Sequence, residues 1–272
     1  MSCLIRGKNN CFYDEKIINL QKHLYRFFLK LFNLSLLLNG FKIKEAITAF
    51  NKTKSISDND FFNYVENQKK AIVSYHLKHN LFYKSFAKDT SLDDWNSIPV
   101  MTKRDLQQPL QNRLSEGYTN KNCYTNKTSG SSGDPFIFAK DKWSHALTWA
   151  ENMDRYAWYD VDLNSSKQAR FYGIPLDKKG YYKERFKDWL GNRYRFSVFD
   201  LSDDAFEKCL TKFKKTKFHY INGYTSPIVQ FAKFLEAKNV ILKSVCPSLK
   251  VCLVTSEMLY EDDRVLMEKQ FG

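Results

Sequence analysis

Apolar residues recur along this chain at two different spacings, and the change between them falls near residue 95. Leu20, Leu24, Phe27, Phe28, Leu31 and Leu34 follow one another at three- and four-residue steps, which lays them on one face of a helix. Gly40 can end that helix, because glycine takes a left-handed backbone without steric penalty. A second helix is predicted over 60–79, with Ser57 or Asp58 as its cap and Phe61, Val65, Ile72 and Tyr75 on its buried face. Residues 1–95 therefore read as a helical amino-terminal region.

Residues 91–99 break the pattern, since Asp93, Asp94, Asn96 and Pro99 all disfavour continued regular structure. Thr102 then caps a short predicted helix at 103–106, with Asp105 at its third position. Beyond it, short apolar runs alternate with amphipathic ones. Strands are predicted at 136–139, 169–174, 195–199, 218–221 and 249–254. Trp143, Ala146, Leu147, Ala150, Met153 and Ala157 mark a helix starting at residue 142. Ser202 caps another, with Asp203 and Asp204 complementing the dipole in its first turn. Ser226-Pro227 opens a helix over 228–238, with proline at its favoured first position, and a closing helix is predicted over 261–269.

The run V-C-L-V at 251–254 is apolar on both faces, as expected of a parallel strand covered by helices on either side. The fold class expected is thus α/β: a helical region over 1–95, then a mostly parallel sheet covered by helices over 96–272. Ligands in such sheets sit beyond the carboxyl ends of the strands. Asn222-Gly223-Tyr224 and Thr255-Ser256-Glu257 occupy two of those ends.

Composition narrows the function classes. The 272 residues are 43% hydrophobic and 16% aromatic, which excludes a disordered chain. The formal charge of +13 invites a nucleic-acid partner. Yet the lysines are scattered, the densest run at 212–217 is interleaved with Phe213 and Thr216, and no nucleic-acid motif accompanies them. A nucleotide substrate satisfies the charge equally well. The six cysteines (Cys3, Cys11, Cys123, Cys209, Cys246 and Cys252) show no C-x-x-C pair. Cys252 reads as a small core residue, and nothing points to disulfides, so a reducing, cytoplasmic setting is expected. His76 and His79 are the one close histidine pair and lack a third metal ligand nearby. Residues 24–41 are interrupted by Arg26, Lys30, Asn33 and Ser35, and the clean apolar run at 36–38 is far short of the ~18–20 residues a span needs. No membrane span and no signal peptide are predicted.

The candidate chemistry lies at 124–135, Y-T-N-K-T-S-G-S-S-G-D-P. Thr128, Ser129, Ser131 and Ser132 supply four hydroxyls within 128–133, and Gly130 and Gly133 allow successive amides to turn inward as an anion nest. The same composition also suits a flexible turn or linker. A G-x-x-x-x-G-K-[ST] phosphate loop is excluded, because Asp134 stands where the lysine is required, and no G-x-G-x-x-G follows a strand. Tyr224 suits either a pocket wall or simple turn packing. Glu257 suits either a ligand site or the start of the last helix. His145 reads as a helix-face residue and His219 as a structural one.

T-S-G-S-S-G-D-P resembles the phosphate-binding signature of adenylate-forming enzymes, the superfamily of acyl-CoA synthetases. More narrowly, the chain resembles the phenylacetate–CoA ligase branch and its relatives in capsular polysaccharide gene clusters. I-P-V-M-T-K-R-D-L at 98–106, N-G-Y-T-S-P at 222–227 and T-S-E-M-L at 255–259, followed by Arg264 and Phe271-Gly272, are similar to further segments of that branch in order and spacing. The resemblance runs from about residue 97 to the end and implies part of the large domain of an adenylation enzyme. It implies an AMP-forming activation of a small carboxylic acid by ATP with Mg, and transfer to CoA or another acceptor. It assigns Thr128, Ser129, Gly130, Ser131, Ser132 and Gly133 to the ATP phosphates, Ser256 and Glu257 to the adenine side, and Tyr224 to an acyl or aryl pocket. Phe136 stands where many relatives carry a lysine. The family's aromatic-Gly-x-[Ser/Thr]-Glu motif, whose glutamate helps bind magnesium, is absent, and Tyr172-Gly173-Ile174-Pro175 is only a superficial echo. The expectation is therefore the amino-terminal part of such a ligase, with an incomplete adenylation-type domain over 96–272. A truncated, non-catalytic nucleotide- or partner-binding protein is the alternative.

Overall fold

The computed structural model describes Leu34, residues 36–128 and residues 135–272. The expected stripe from Leu20 to Leu31, Cys3 and Cys11, and loop residues 129–133 lie outside the described residues. Two compact units are present, one spanning 36–152 and the other containing 153–272.

In the first unit, Gly40 ends a helical turn as expected. Its φ is +79°, its N–H donates to the Leu37 carbonyl, and the Phe41 N–H reaches back to the Leu36 carbonyl. That pair of bonds satisfies carbonyls the helix leaves open. Helices α1 (Ile43–Lys54), α2 (Asp58–His79) and α3 (Leu81–Phe86) follow. Ser57 caps α2 by accepting the Asp60 N–H. The expected buried face of α2 is corrected: Phe61, Ile72 and Tyr75 are 46%, 52% and 38% exposed, and Val73 is buried instead. Helix α3 packs against α2, with the His76 and Tyr83 rings 5.6 Å apart. The short helix expected at 103–106 is a hydrogen-bonded turn. Thr102 donates from both N–H and Oγ1 to Asp105 Oδ2, but Pro109 follows too closely for a helix to propagate. Strands β1 (Tyr124–Lys127) and β2 (Ile137–Lys140) form an antiparallel hairpin in which Tyr124 faces Lys140 and Lys127 faces Ile137. Helix α4 (Lys142–Ala157) starts at the predicted residue.

In the second unit, β3 (Gln168–Phe171), α5 (Lys178–Leu190), β4 (Arg193–Phe196), α6 (Asp203–Lys215), β5 (Tyr220–Tyr224), α7 (Thr225–Ala237), α8 (Leu242–Val245), β6 (Val251–Thr255) and α9 (Glu261–Phe271) alternate along the chain. The four strands pair in parallel in the order β4-β3-β5-β6, which is the expected α/β class. Ala169, Phe171, Phe196 and Ile221 share one face of the sheet. With Phe213 of α6, Phe231 of α7 and Phe271 of α9 they form the core, in which Phe171, Phe213 and Phe231 are essentially fully buried. Gly223 lies where a Cβ would meet the Phe171 carbonyl oxygen at 2.4 Å, so this close approach of β5 to β3 requires glycine. Helix α7 opens at Thr225, three residues earlier than predicted. Pro227 therefore sits at its third position, where a missing N–H costs nothing because the first turn has no intrahelical acceptor. Helix α5 was not expected, since its charged sequence carries only a faint apolar stripe; Asp177 caps it through the Gly180 N–H.

Candidate functional site at the carboxyl ends of the strands

Strand β5 ends at Tyr224, which is also the N-cap of α7, and β6 ends beside it at Thr255. Ser256 then takes a φ of +73°, an unusual conformation for a residue with a side chain. This turn carries Glu257 back onto the start of α7. Glu257 Oε2 accepts the Ser226 N–H at 2.6 Å and the Ser226 hydroxyl at 2.8 Å, and the Glu257 carbonyl accepts the Thr225 hydroxyl at 3.2 Å. A carboxylate at a helix N-terminus satisfies orphan donors and complements the dipole. Glu257 does not begin the last helix, which starts at Glu261. It ties the two strand ends together across 31 residues of sequence.

The sheet face opposite the core is polar and aromatic along β4, β3 and β5, with Val251 and Leu253 of β6 at its edge. Register puts Arg170 of β3 between Arg195 of β4 and Asn222 of β5. The Tyr172 hydroxyl donates to Asn222 Oδ1 at 3.1 Å, and Asn222 Nδ2 donates to the Leu253 carbonyl. Tyr172 meets Tyr224 edge-on, ring centroids 4.8 Å apart, and the Arg170 guanidinium lies 4.3 Å from the centre of the Tyr172 ring. Burial raises the Tyr172 phenol pKa; Arg170 works against that shift and Tyr224 adds to it. Tyr224 is thus half of an aromatic pair at the sheet edge, beyond a simple turn contact.

Arg195 anchors the same face. Its Nε and Nη2 reach both oxygens of Asp188, at 2.8 and 3.1 Å, its Nη2 also reaches Glu184, and its Nη1 donates to the Gly173 carbonyl at 2.7 Å. Burial works against the charged guanidinium, but Asp188 and Glu184 outweigh it and the pKa rises. The network holds α5 and β4 to the chain leaving β3. Sequence reading missed Arg170, Glu184, Asp188 and Arg195. The signal available was the charged pair of R-Y-R inside a short strand, since charged side chains are buried only when partnered.

In the first unit, the hydroxyl- and glycine-rich segment joins β1 to β2. The Thr128 N–H donates to the Phe136 carbonyl at 2.9 Å, and the Phe136 N–H donates to Thr128 Oγ1 at 3.0 Å. These two bonds pin the ends of the loop whose residues 129–133 lie outside the described residues. Next to its exit a cavity of about 360 Å³ is lined by Leu106, Pro109, Leu110, Arg113 and Phe136. His145 stacks on Tyr124 at 3.7 Å and accepts the Trp149 indole N–H through Nε2. Burial, helped by Lys140, lowers its pKa and keeps the ring neutral; it is a packed helix-face residue. His219 Nδ1 accepts the Lys167 N–H and serves the strand ends structurally. Among the described residues no three His, Cys, Asp or Glu side chains converge as for a metal ion, and no helix is long and apolar enough to cross a membrane.

No family model matches the sequence, and no curated protein matches it. Among solved structures, the chain is similar to 2-hydroxyisobutyryl-CoA ligase in an open conformation with 2-HIB-AMP and CoA. The TM-score is 0.54 and the identity 13%, over 80% of this chain and 53% of that one. The same ligase with these ligands in the thioesterification state gives a TM-score of 0.55 and 14% identity, over 80% of this chain and 48% of that one. This chain therefore spans about half the length of the solved ligases it matches. At such identity the likeness is one of fold alone: the α/β arrangement of this chain is similar to that of about half of 2-hydroxyisobutyryl-CoA ligase.

Proposed function

We propose that the chain carries part of the machinery of an ATP-dependent, carboxylate-activating ligase, of the phenylacetate–CoA ligase kind. The observation that supports this reading best is the strand-end arrangement. N-G-Y and T-S-E, the two segments that resemble that branch, end neighbouring parallel strands and are tied together through Glu257 and Ser226. The edge of an α/β sheet beyond its strand ends is where ligands bind.

In this reading a carboxylate oxygen attacks the α-phosphorus of ATP and pyrophosphate leaves, with Mg as the accompanying cation. Charge grows on phosphate oxygens, so the protein contributes positioning and donors. Thr128, Ser129, Gly130, Ser131, Ser132 and Gly133 grip the β- and γ-phosphates through hydroxyls and amides. Ser256 and Glu257 line the adenine by their backbone, and the Glu257 side chain, engaged by Ser226, fixes that backbone in place. Tyr224, backed by Tyr172, walls the pocket for the acyl or aryl group. CoA or another acceptor then takes the activated acid. The free cysteines among the described residues, Cys123, Cys209, Cys246 and Cys252, fit the cytoplasmic setting of such a ligase.

The test is calorimetric titration of ATP into the purified chain, followed by carboxylate-dependent exchange of labelled pyrophosphate into ATP with a panel of aryl and acyl acids. ATP is expected to bind, and the Ser131→Ala, Ser132→Ala double variant to bind about 10-fold more weakly, as loss of hydrogen bonds to a charged ligand dictates. ATP binding without exchange would favour the non-catalytic nucleotide-binding alternative. No binding, or binding indifferent to the loop, would overturn the phosphate-loop assignment.

A further inference from the structure

The polar face of the sheet carries one positive charge more than its own carboxylates neutralise. Three arginines lie on it: Arg170, Arg193 and Arg195. Two carboxylates of α5 serve them. Both Asp188 oxygens and one Glu184 oxygen are bound by Arg195. Arg193 approaches Asp188 at 3.3 Å and donates to the Lys187 carbonyl. Among the described residues, Arg170 pairs with no carboxylate. Its Nε is buried without an acceptor, and its guanidinium rests on the Tyr172 ring.

Beyond the Tyr172 ring and the more distant field of Asp188, the neighbours of Arg170 offer it no hydrogen-bond acceptor. Across the register, Arg195 is a like charge, and the Asn222 amide is already spent on Tyr172 and Leu253. Burial first, then repulsion from Arg193 and Arg195, lowers the Arg170 pKa. Guanidinium nevertheless stays protonated at neutral pH, so the fold retains a partly desolvated cation beside two others. A buried charge of this kind is costly unless an anion completes it. Arg170 is only partly buried, so its side chain is not sealed from solvent.

We propose that Arg170 is the anchor for a carboxylate of the acid substrate, whose body lies against the Tyr172–Tyr224 pair. This rests on the ligase reading above for the identity of the substrate, though not for the unpaired cation. A carboxylate fits better than a phosphate. The planar fork matches it in bidentate fashion, and the surroundings are phenol rings rather than the amides and hydroxyls of a phosphate nest. The substrate class is therefore an aromatic or similarly flat carboxylic acid, either anchored by the carboxylate that reacts or carrying a second one at Arg170.

The experiment titrates benzoate, terephthalate and inorganic phosphate separately into the 272-residue chain and into its Arg170→Met and Arg170→Lys variants, by calorimetry, with ATP as a parallel ligand. Wild type is expected to bind at least one of the two carboxylates in preference to inorganic phosphate. Arg170→Met should weaken that binding about 10- to 100-fold, the range for a hydrogen-bonded charge. Arg170→Lys, which keeps the charge and loses the fork, should fall between; it carries the comparison if Arg170→Met folds poorly. ATP affinity should be the same in all three proteins. Absence of carboxylate binding by wild type, equal carboxylate affinity in the variants, or preference for inorganic phosphate would each overturn the anchor. Loss of ATP binding by wild type would instead count against the phosphate loop and leave Arg170 to be judged on the carboxylates.

Discussion

The ion-pair network of Arg195 yields the sharpest prediction. Asp188 is 2% exposed and Arg195 is 6% exposed, and the guanidinium spends two of its four hydrogen bonds on Asp188. Asp188→Asn preserves shape but removes the charge. Breaking a buried pair by removing one partner typically costs ~3–5 kcal/mol, because the other charge is left uncompensated. Here Glu184 still accepts from Arg195, at 2.8 Å from a position 24% exposed, and so does the Gly173 carbonyl. The lower end of the range, about 3 kcal/mol, is therefore expected. At roughly 2–4 °C per kcal/mol for a chain of this size, the melting temperature should drop by about 6–12 °C. Urea unfolding followed by circular dichroism provides the measurement, with the loss seen in the midpoint at an unchanged slope. Asp188→Leu combined with Arg195→Met should be more stable than Asp188→Asn, because the uncompensated charge is gone. A loss under about 1 kcal/mol for Asp188→Asn would place this pair among solvent-screened surface bridges and refute the reasoning.

Three further outcomes are expected. Burial pushes the Glu184 carboxyl up, but Lys187 and Arg195 outweigh it and hold the pKa below its ordinary value of 4.5. The folded value being the lower one, Glu184 contributes stability above pH 4.5 that is lost as pH falls through the folded value; Glu184→Gln should flatten acid unfolding in that window, and an unchanged profile would contradict this. Gly223→Ala should destabilise by about 1–3 kcal/mol or more in the same urea assay, since its Cβ would meet the Phe171 carbonyl at 2.4 Å. Cys209, whose thiol burial pushes up to about 12, should resist iodoacetamide in the folded chain, as read by peptide mass spectrometry; rapid native-state labelling would contradict its burial.

What the chain determined by itself was local. Ser57 and Ser202 cap their helices because a hydroxyl and the amide it serves are three residues apart. Gly40 ends its helix for the same reason of proximity. The uninterrupted V-C-L-V run announces a parallel strand, but the expected burial on both faces is corrected: β6 is the edge strand of the four and Val251–Val254 are only partly buried. These features placed α2, α4, α6, α7, β5 and β6 to within a few residues, and with them the two strand ends at Asn222–Tyr224 and 255–257.

Tertiary structure decided what depends on partners distant in sequence. The order β4-β3-β5-β6 follows from which apolar rows meet over α6, α7 and α9, and no segment carries that information alone. The buried side of α2 carries Val73 rather than the predicted stripe of Phe61, Ile72 and Tyr75, and α3 meets α2 through the His76–Tyr83 ring contact. Strand β1 exists through pairing with β2 across the hydroxyl-rich loop. In sequence Glu257 suits either a ligand site or a helix start, yet its Oε2 is claimed by the N–H and hydroxyl of Ser226, 31 residues earlier. Arg170 and Arg195 look alike in sequence, two arginines in two short strands. Only the fold gives Arg195 two carboxylates and, among the described residues, leaves Arg170 with none, because α5 sets Asp188 and Glu184 within reach of β4 while β3 lies one strand further in.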